Sequence, residues 1–234
     1  MGAARAAAPA ARALGPPDHR AAAADREGLD MPATTIYFAQ LDPTWNDWVQ
    51  IVNVGNGPAK VVCIARDAEA KVVWTAENTL SVFQAWVPAV DTPKVSTSFQ
   101  VNSDQPIVGE RHCHQGTQVL DFPGASLFGK TVGKRLFFPE LASGAYDWFR
   151  FLNVGDADAH ISFIVRDINS ARVIVQRSHV VGPLRWWDLA DTDTGASVQG
   201  TVEVVSTQPV VAERHLHYKG GQVAVGQLGQ VLDQ

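Results

Sequence analysis

"DWVQIVNVGNGPAKVVCIARD", residues 47–67, returns one hundred residues later as "DWFRFLNVGDADAHISFIVRD", residues 147–167, with no gap between the copies. Asp47/Asp147, Trp48/Trp148, Asn53/Asn153, Val54/Val154, Gly55/Gly155, Ala59/Ala159, Arg66/Arg166 and Asp67/Asp167 are identical. Trp86 matches Trp186, and Asp91-Thr92 matches Asp191-Thr192. A second motif, "QPIVGERHCH" at 105–114, comes back as "QPVVAERHLH" at 208–217. Its slightly larger displacement places extra loop length in the second copy, at "DTDTGASVQG", residues 191–200. Identity over this span reads as duplication of a unit close to a small sandwich domain in size, not as a short-period solenoid.

Each unit reads as β throughout. "WVQIVNVG" sets Trp48, Gln50 and Val52 on one face against Val49, Ile51 and Asn53 on the other, and stops at an Asn/Gly/Pro turn. "AKVVCIARD", "KVVWTAE", "FQAWVPA", "VSTSFQVNS" and "QPIVGERHCH" continue the series at the strand spacing of a sandwich or barrel. No long segment has helical periodicity. Ser162 lies between Ile161 and Phe163, so Ile161, Phe163 and Val165 face the core, and with them Val61, Cys63 and Ala65. Cys113 in one motif is Leu216 in the other, which marks that position as buried. Alternation then sends Glu110, His112 and His114, like Glu213, His215 and His217, to the opposite face, and keeps Arg111 and Arg214 on the core side near its edge.

The chain has 234 residues, 46% hydrophobic and 18% charged, with net charge −5. That is enough for two small cores. The acidic balance and the lack of a Lys/Arg block exclude a nucleic-acid footprint, and no apolar run is long enough for a helical membrane span. Residues 1–31 are Ala/Pro/Arg-rich without aromatic or β-branched side chains and read as a disordered leader, with Met31 a candidate true start. Arg and Pro interrupt the apolar stretch a signal peptide requires. The remaining layout is repeat 1 at 32–125, a linker at 126–132 and repeat 2 at 133–232.

Four constellations bear on function. Glu-x-His-x-His on a strand places Glu110, His112 and His114, and again Glu213, His215 and His217, on one face at a spacing suited to chelating Zn, Fe or Cu. The competing reading is a polar outer strand face. A cupin has its Glu after the His pair, whereas here it precedes, and downstream only Asp121 is on offer. Second, Arg111 and Arg214 read as structural: they cap loop carbonyls or pair with Asp67 and Asp167, an ion pair present in both copies. Third, Trp45, Trp74 and Trp187 do not recur, and serve either as an interface or as a sugar-stacking platform. Trp48/Trp148 and Trp86/Trp186 do recur, and read as core or inter-sheet plugs. Fourth, Cys63 and Cys113 both point inward on different strands, and read as a disulfide or as two buried thiols. No nucleophile elbow is present: "GASLFG" lacks the G-x-S-x-G frame around Ser126.

The pattern W-x-x-[IF]-x-N-V-G-x-x-x-A-x-[VI], followed about fifty residues on by Q-P-[IV]-V-x-E-R-H, resembles tandem β-sandwich repeat units of uncharacterised bacterial surface proteins of actinobacterial type. The resemblance covers residues 32–230 or so and implies a cell-surface or secreted location, although no signal peptide is read in the chain. Relatives of that type have Ser and Tyr where His112 and His114 stand. The expected fold is therefore all-β: two tandem immunoglobulin-like antiparallel β-sandwich domains. The expected role is a non-catalytic structural, adhesive or protein-interaction module that self-associates or binds a protein partner, without a cofactor. The alternatives are a carbohydrate-binding module and a metal-binding protein or metalloenzyme.

Overall fold

The computed structural model describes residues 35–232 except 92–94, 128, 142–143, 191–198, 219 and 221. The 1–31 leader, Thr92, Asp191, Thr192 and most of the 191–200 loop thus lie outside the described residues. Among the described residues, sixteen strands run in chain order. The first eight are β1 (Thr35–Leu41), β2 (Asn46–Asn53), β3 (Ala59–Arg66), β4 (Val72–Leu80), β5 (Ala85–Trp86), β6 (Thr97–Ser103), β7 (Ile107–Gln115) and β8 (Gln118–Pro123). The rest are β9 (Val132–Leu141), β10 (Tyr146–Asn153), β11 (Ala159–Asp167), β12 (Val173–Val181), β13 (Trp186–Leu189), β14 (Gly200–Tyr218), β15 (Val223–Leu228) and β16 (Gln230–Val231). No described residue is helical, so none forms a helix long and apolar enough to cross a membrane.

Alternation fixes the faces as the sequence requires. β3 buries Ala59, Val61, Cys63 and Ala65, and β11 buries Ala159, Ile161, Phe163 and Val165. In the first repeat, antiparallel sheets of order β1-β6-β3-β4 and β5-β2-β7-β8 share one core. Phe38, Cys63 and Phe99 enter it from one sheet, Val49, Ile51 and Ile107 from the other. The second repeat has the same neighbours: β9, the first part of β14, β11 and β12, then β13, β10, the second part of β14 and β15. There β14 runs unbroken from one set of neighbours to the other, whereas the first repeat interrupts the path between β6 and β7. Leu136, Phe138, Phe149, Phe151, Ile161 and Phe163 anchor its core. Both pairing orders differ from the ABED/CFG order of immunoglobulin constant domains.

The two repeated motifs meet at one corner. The buried Asn53 donates through Nδ2 to the carbonyls of Gly57 (2.8 Å) and Leu80 (2.9 Å) and accepts from the Gly55 N–H (2.8 Å). Asn153 repeats this with Ala157, Val181 and Gly155 at 2.8–2.9 Å. One amide side chain thus closes the β2–β3 loop and ties it to the end of β4. Gly55 has to be glycine because a Cβ there would lie 2.9 Å from Pro106 Cδ and 3.0 Å from Gln105 Cβ; at Gly155 a Cβ would lie 2.9 Å from Gln208 Cβ. The N-V-G and Q-P motifs are two sides of one contact, closed by Val54 N–H to the Pro106 carbonyl and Val154 N–H to the Pro209 carbonyl. Asn153→Ala removes three buried hydrogen bonds and leaves their partners unpaired. The expected loss is about 2–4 kcal/mol of unfolding free energy, read from urea melts; a loss below about 0.5 kcal/mol contradicts the clamp.

Candidate functional site

Register explains why an Asp and an Arg recur together. On β2 and β7, Asp47 lies opposite Cys113 and Val49 opposite Arg111, so Asp47 and Arg111 are diagonal neighbours on the core-side face. Arg111 holds Asp47 with two nitrogens, Nε to Oδ1 at 3.0 Å and Nη2 to Oδ2 at 2.8 Å. Arg214 repeats the pair with Asp147, Nε to Oδ1 at 2.6 Å. The expected partners Asp67 and Asp167 are a correction. They sit at the far ends of β3 and β11, where each carboxylate accepts N–H groups of its own turn: Glu69 and Lys71 for Asp67, Asn169 and Ser170 for Asp167.

Arg111 also crosses to the second repeat. Its Nη1 donates to Glu213 Oε2 at 3.0 Å, and the Ala39 N–H donates to the other Glu213 oxygen. The guanidinium lies 5.2 Å from the Phe122 ring centroid. Glu213 is 0% exposed and His215 5%, although alternation alone sends both outward. They do face away from their own core, and the first repeat covers them. Further links follow along the same seam: His217 Nδ1 with Gln118 Oε1 at 2.9 Å, Arg150 Nη1 to Ser96 Oγ at 2.9 Å, and Phe122 with His215 at 4.9 Å between rings. Ala39, Ala125, Val132, Leu152 and Val211 form an apolar cluster drawn from both repeats.

Burial sets the ionisation of the seam. It works against the Arg111 charge, but Asp47 and Glu213 outweigh it and hold the guanidinium protonated. At Glu213 burial would raise the carboxyl; the His215 ring, Arg111 and the Ala39 N–H overcome that and keep it below its usual range. At Asp47 burial wins and the carboxyl lies above its usual range. Burial pushes His215 down to about 4, so its ring is neutral at pH 7. Cys63 and Cys113 are pushed up to about 12 by burial and are unreactive. Both are free thiols, which corrects the disulfide reading. Cys63 packs in the core of the first repeat, while Cys113, beyond Arg111 on β7, packs with Leu120 and Phe122 against Ala224 and Leu228 of the second.

The matching face of the first repeat is open. Glu110 is exposed, and His112 and His114 are half-buried. β8 lies beside β7 with Asp121 directly opposite His112, and their side chains pair. One ligand atom each from Glu110, His112 and Asp121 lie within 4.8 Å of one another. His114 stands edge-on to His112 at 4.3 Å, and Trp48 lies 5.0 Å from His112. In the second repeat the partner of His215 is Gly226, where a Cβ would lie 2.8 Å from the Asp121 carbonyl oxygen. The six metal-type residues thus divide: Glu110 and His112 stand with Asp121, His114 packs edge-on against His112 outside that set, and Glu213, His215 and His217 are held in the seam.

All seven tryptophans are half-buried. Trp48 lies on the outer face of its sheet beside His112, and so is not the core plug expected. Trp74 stacks on Phe99 at 5.9 Å, and Trp187 on His179 at 5.5 Å. Trp45 packs against His217, 6.2 Å between rings, at a cavity of about 300 Å³. Trp45, Tyr146, Trp148, Arg150, His215 and His217 line that cavity, and Trp74 and Trp187 do not.

No family model matches the chain, and no curated protein matches its sequence. Among solved structures, a glycosyl hydrolase family 2 member from Bacteroides cellulosilyticus is similar at 9% identity and a TM-score of 0.17. The match covers 83% of this chain, which spans 27% of that one.

Two outcomes follow from the seam. Arg111→Met leaves Asp47 and Glu213 buried without their cation, and urea unfolding should show a loss of about 3–5 kcal/mol. Because the folded His215 titrates near 4 and an unfolded histidine near 6.5, the unfolded chain takes the proton first as pH falls. Stability from this group is full above about pH 6.5 and is lost towards pH 4, on the order of 3 kcal/mol in all. The urea midpoint against pH measures it, and His215→Gln should flatten that part of the profile.

Proposed function

We propose that the chain is a non-catalytic structural and adhesive module: two sandwich units of duplicated origin, immunoglobulin-like in their two-sheet architecture though not in strand order, locked through a shared seam, that self-associate by the open sheet face of the first. The observation that carries the reading is an asymmetry. The outer face of the β13-β10-β14-β15 surface is covered by the first repeat, while the equivalent face of β5-β2-β7-β8 is open. That face exposes Val108 (50%) and Val119 (40%) beside Trp48. Duplication is supported by the shared strand order, the paired Asn clamps and the paired Asp–Arg bonds. These clamps are also the residues that carry the resemblance to actinobacterial-type surface repeats, and a surface or secreted location belongs to the same reading.

The occupant we assign to the open face is the same face of a second copy. A head-to-tail chain is disfavoured because the second repeat does not reproduce the covering surface of the first. Where the first has Trp45 and Phe122, the second has Ala145 and Gln227, and Gln227 already binds Arg214 at 2.9 Å. A self-complementary contact closes as a dimer.

A second reading rests on the cavity at Trp45, whose aromatic and polar lining suits a saccharide. A saturable tryptophan quench with one glycan of a panel, lost in Trp45→Ala, would favour it over the interaction reading. For the main reading, light scattering should show the 25.2 kDa chain doubling in mass as concentration rises to about 0.1 mM, and Val108→Lys should return it to a monomer. A wild type that stays monomeric across that range overturns the assignment.

A further inference from the structure

We propose that Glu110, His112 and Asp121 form a binding site for one divalent cation of the zinc class on the open face of the first repeat. Backbone register builds the site. Glu110 and His112 are two residues apart on β7 and so share a face, and β8 brings Asp121 directly opposite His112. The three ligand atoms lie within 4.8 Å of one another. Around one zinc, ligand atoms at about 2.0–2.2 Å stand roughly 3.3 Å apart, so an ion enters by parting the His112–Asp121 pair while the Glu110 carboxylate turns in, a change of side-chain rotation alone.

The chemistry of the set is that of an open site. One imidazole nitrogen and two carboxylate oxygens suit Zn, Co or Mn, and three protein ligands leave a position for water or for a group from another molecule. Two carboxylates beside one another repel unless a cation stands between them, and the Glu110 carboxylate, unlike its strand-paired backbone, makes no hydrogen bond among the described residues. Asp121 is half-exposed on its side chain and His112 about a quarter, so an ion reaches them without any opening of the fold. The ring of Trp48, 5.0 Å from His112, and the edge of His114 at 4.3 Å limit the rotation of the imidazole.

The second repeat supplies the contrast. Glu213 and His215 occupy the positions of Glu110 and His112, but Glu213 is spent on Arg111 and Ala39, and Gly226 stands where Asp121 does. Among the described residues the set therefore occurs once. This inference does not depend on self-association, because all three ligands come from a single chain.

Titrating the full chain, without an affinity tag, with Zn²⁺ at pH 7.5 in a calorimeter tests it. The expected result is one ion per chain with Kd on the order of 10 μM, weakened tenfold or more in His112→Gln and in Asp121→Asn. His179→Gln, an exposed histidine elsewhere, should leave Kd within about twofold. Co²⁺ in place of Zn²⁺ should give a visible absorption band that the same two variants abolish. Absence of saturable binding up to about 1 mM Zn²⁺, or binding that both variants leave unchanged, overturns the proposal.

Discussion

One guanidinium holds the two halves of this protein in a common frame. Arg111 has five N–H donors in a rigid fork, and the structure divides them between Asp47 on the neighbouring strand of its own sheet and Glu213 from the other repeat. All three charges are almost wholly withdrawn from water. A buried pair of this kind adds little net stability over an apolar filling, but it is severe on any arrangement that separates its members. The seam is therefore specified more sharply than its apolar area alone would specify it. Strand alternation does the rest. Glu213 and Arg214 are adjacent on β14 and point to opposite sides, so Glu213 reaches back to the first repeat while Arg214 closes the Asp–Arg pair of the second.

The same five-residue pattern, Glu-Arg-His-x-His, thereby has two fates. In the second repeat its outer face lies under the first repeat, and the seam absorbs the polar groups: Glu213 on Arg111, His217 on Gln118, His215 against Phe122. In the first repeat that face is open, and Glu110 and His112 stand with Asp121. The neighbouring residues differ to match. Asp121 corresponds to Gly226, because β8 and β15 approach too closely for a side chain there. Phe122, packed beside Arg111, corresponds to Gln227, which satisfies Arg214. Repetition of a sequence motif accompanies repetition of strand pairing, and among the described residues the candidate site lies where the two copies differ.

The strands and their inward faces were legible because period-two alternation is local: Val61, Cys63 and Ala65, with Ile161, Phe163 and Val165, lie where it places them. The inward placement of Arg111 and Arg214 was legible from the Cys113/Leu216 exchange. Their partners are not legible from recurrence, because Asp47 and Asp67 recur equally and only the β2–β7 register separates the two. Asp121 was recoverable in principle, since a tight turn at Gly116-Thr117 puts residue 121 opposite 112. The burial of Glu213 and His215 was not recoverable from alternation. It depends on how one repeat packs on the other, a relation between residues about a hundred positions apart with no periodic signal. The thiols escaped for a similar reason: both point inward, but into different clusters.

The central claim is that Arg111 and Glu213 are energetically coupled across the repeats. A double-mutant cycle on Arg111→Met and Glu213→Leu, read by urea unfolding, measures this directly. A coupling energy of about 1.5–3 kcal/mol, with the double variant more stable than either single variant, is the predicted result. Additive losses, with a coupling below about 0.5 kcal/mol, would contradict a seam built on this pair.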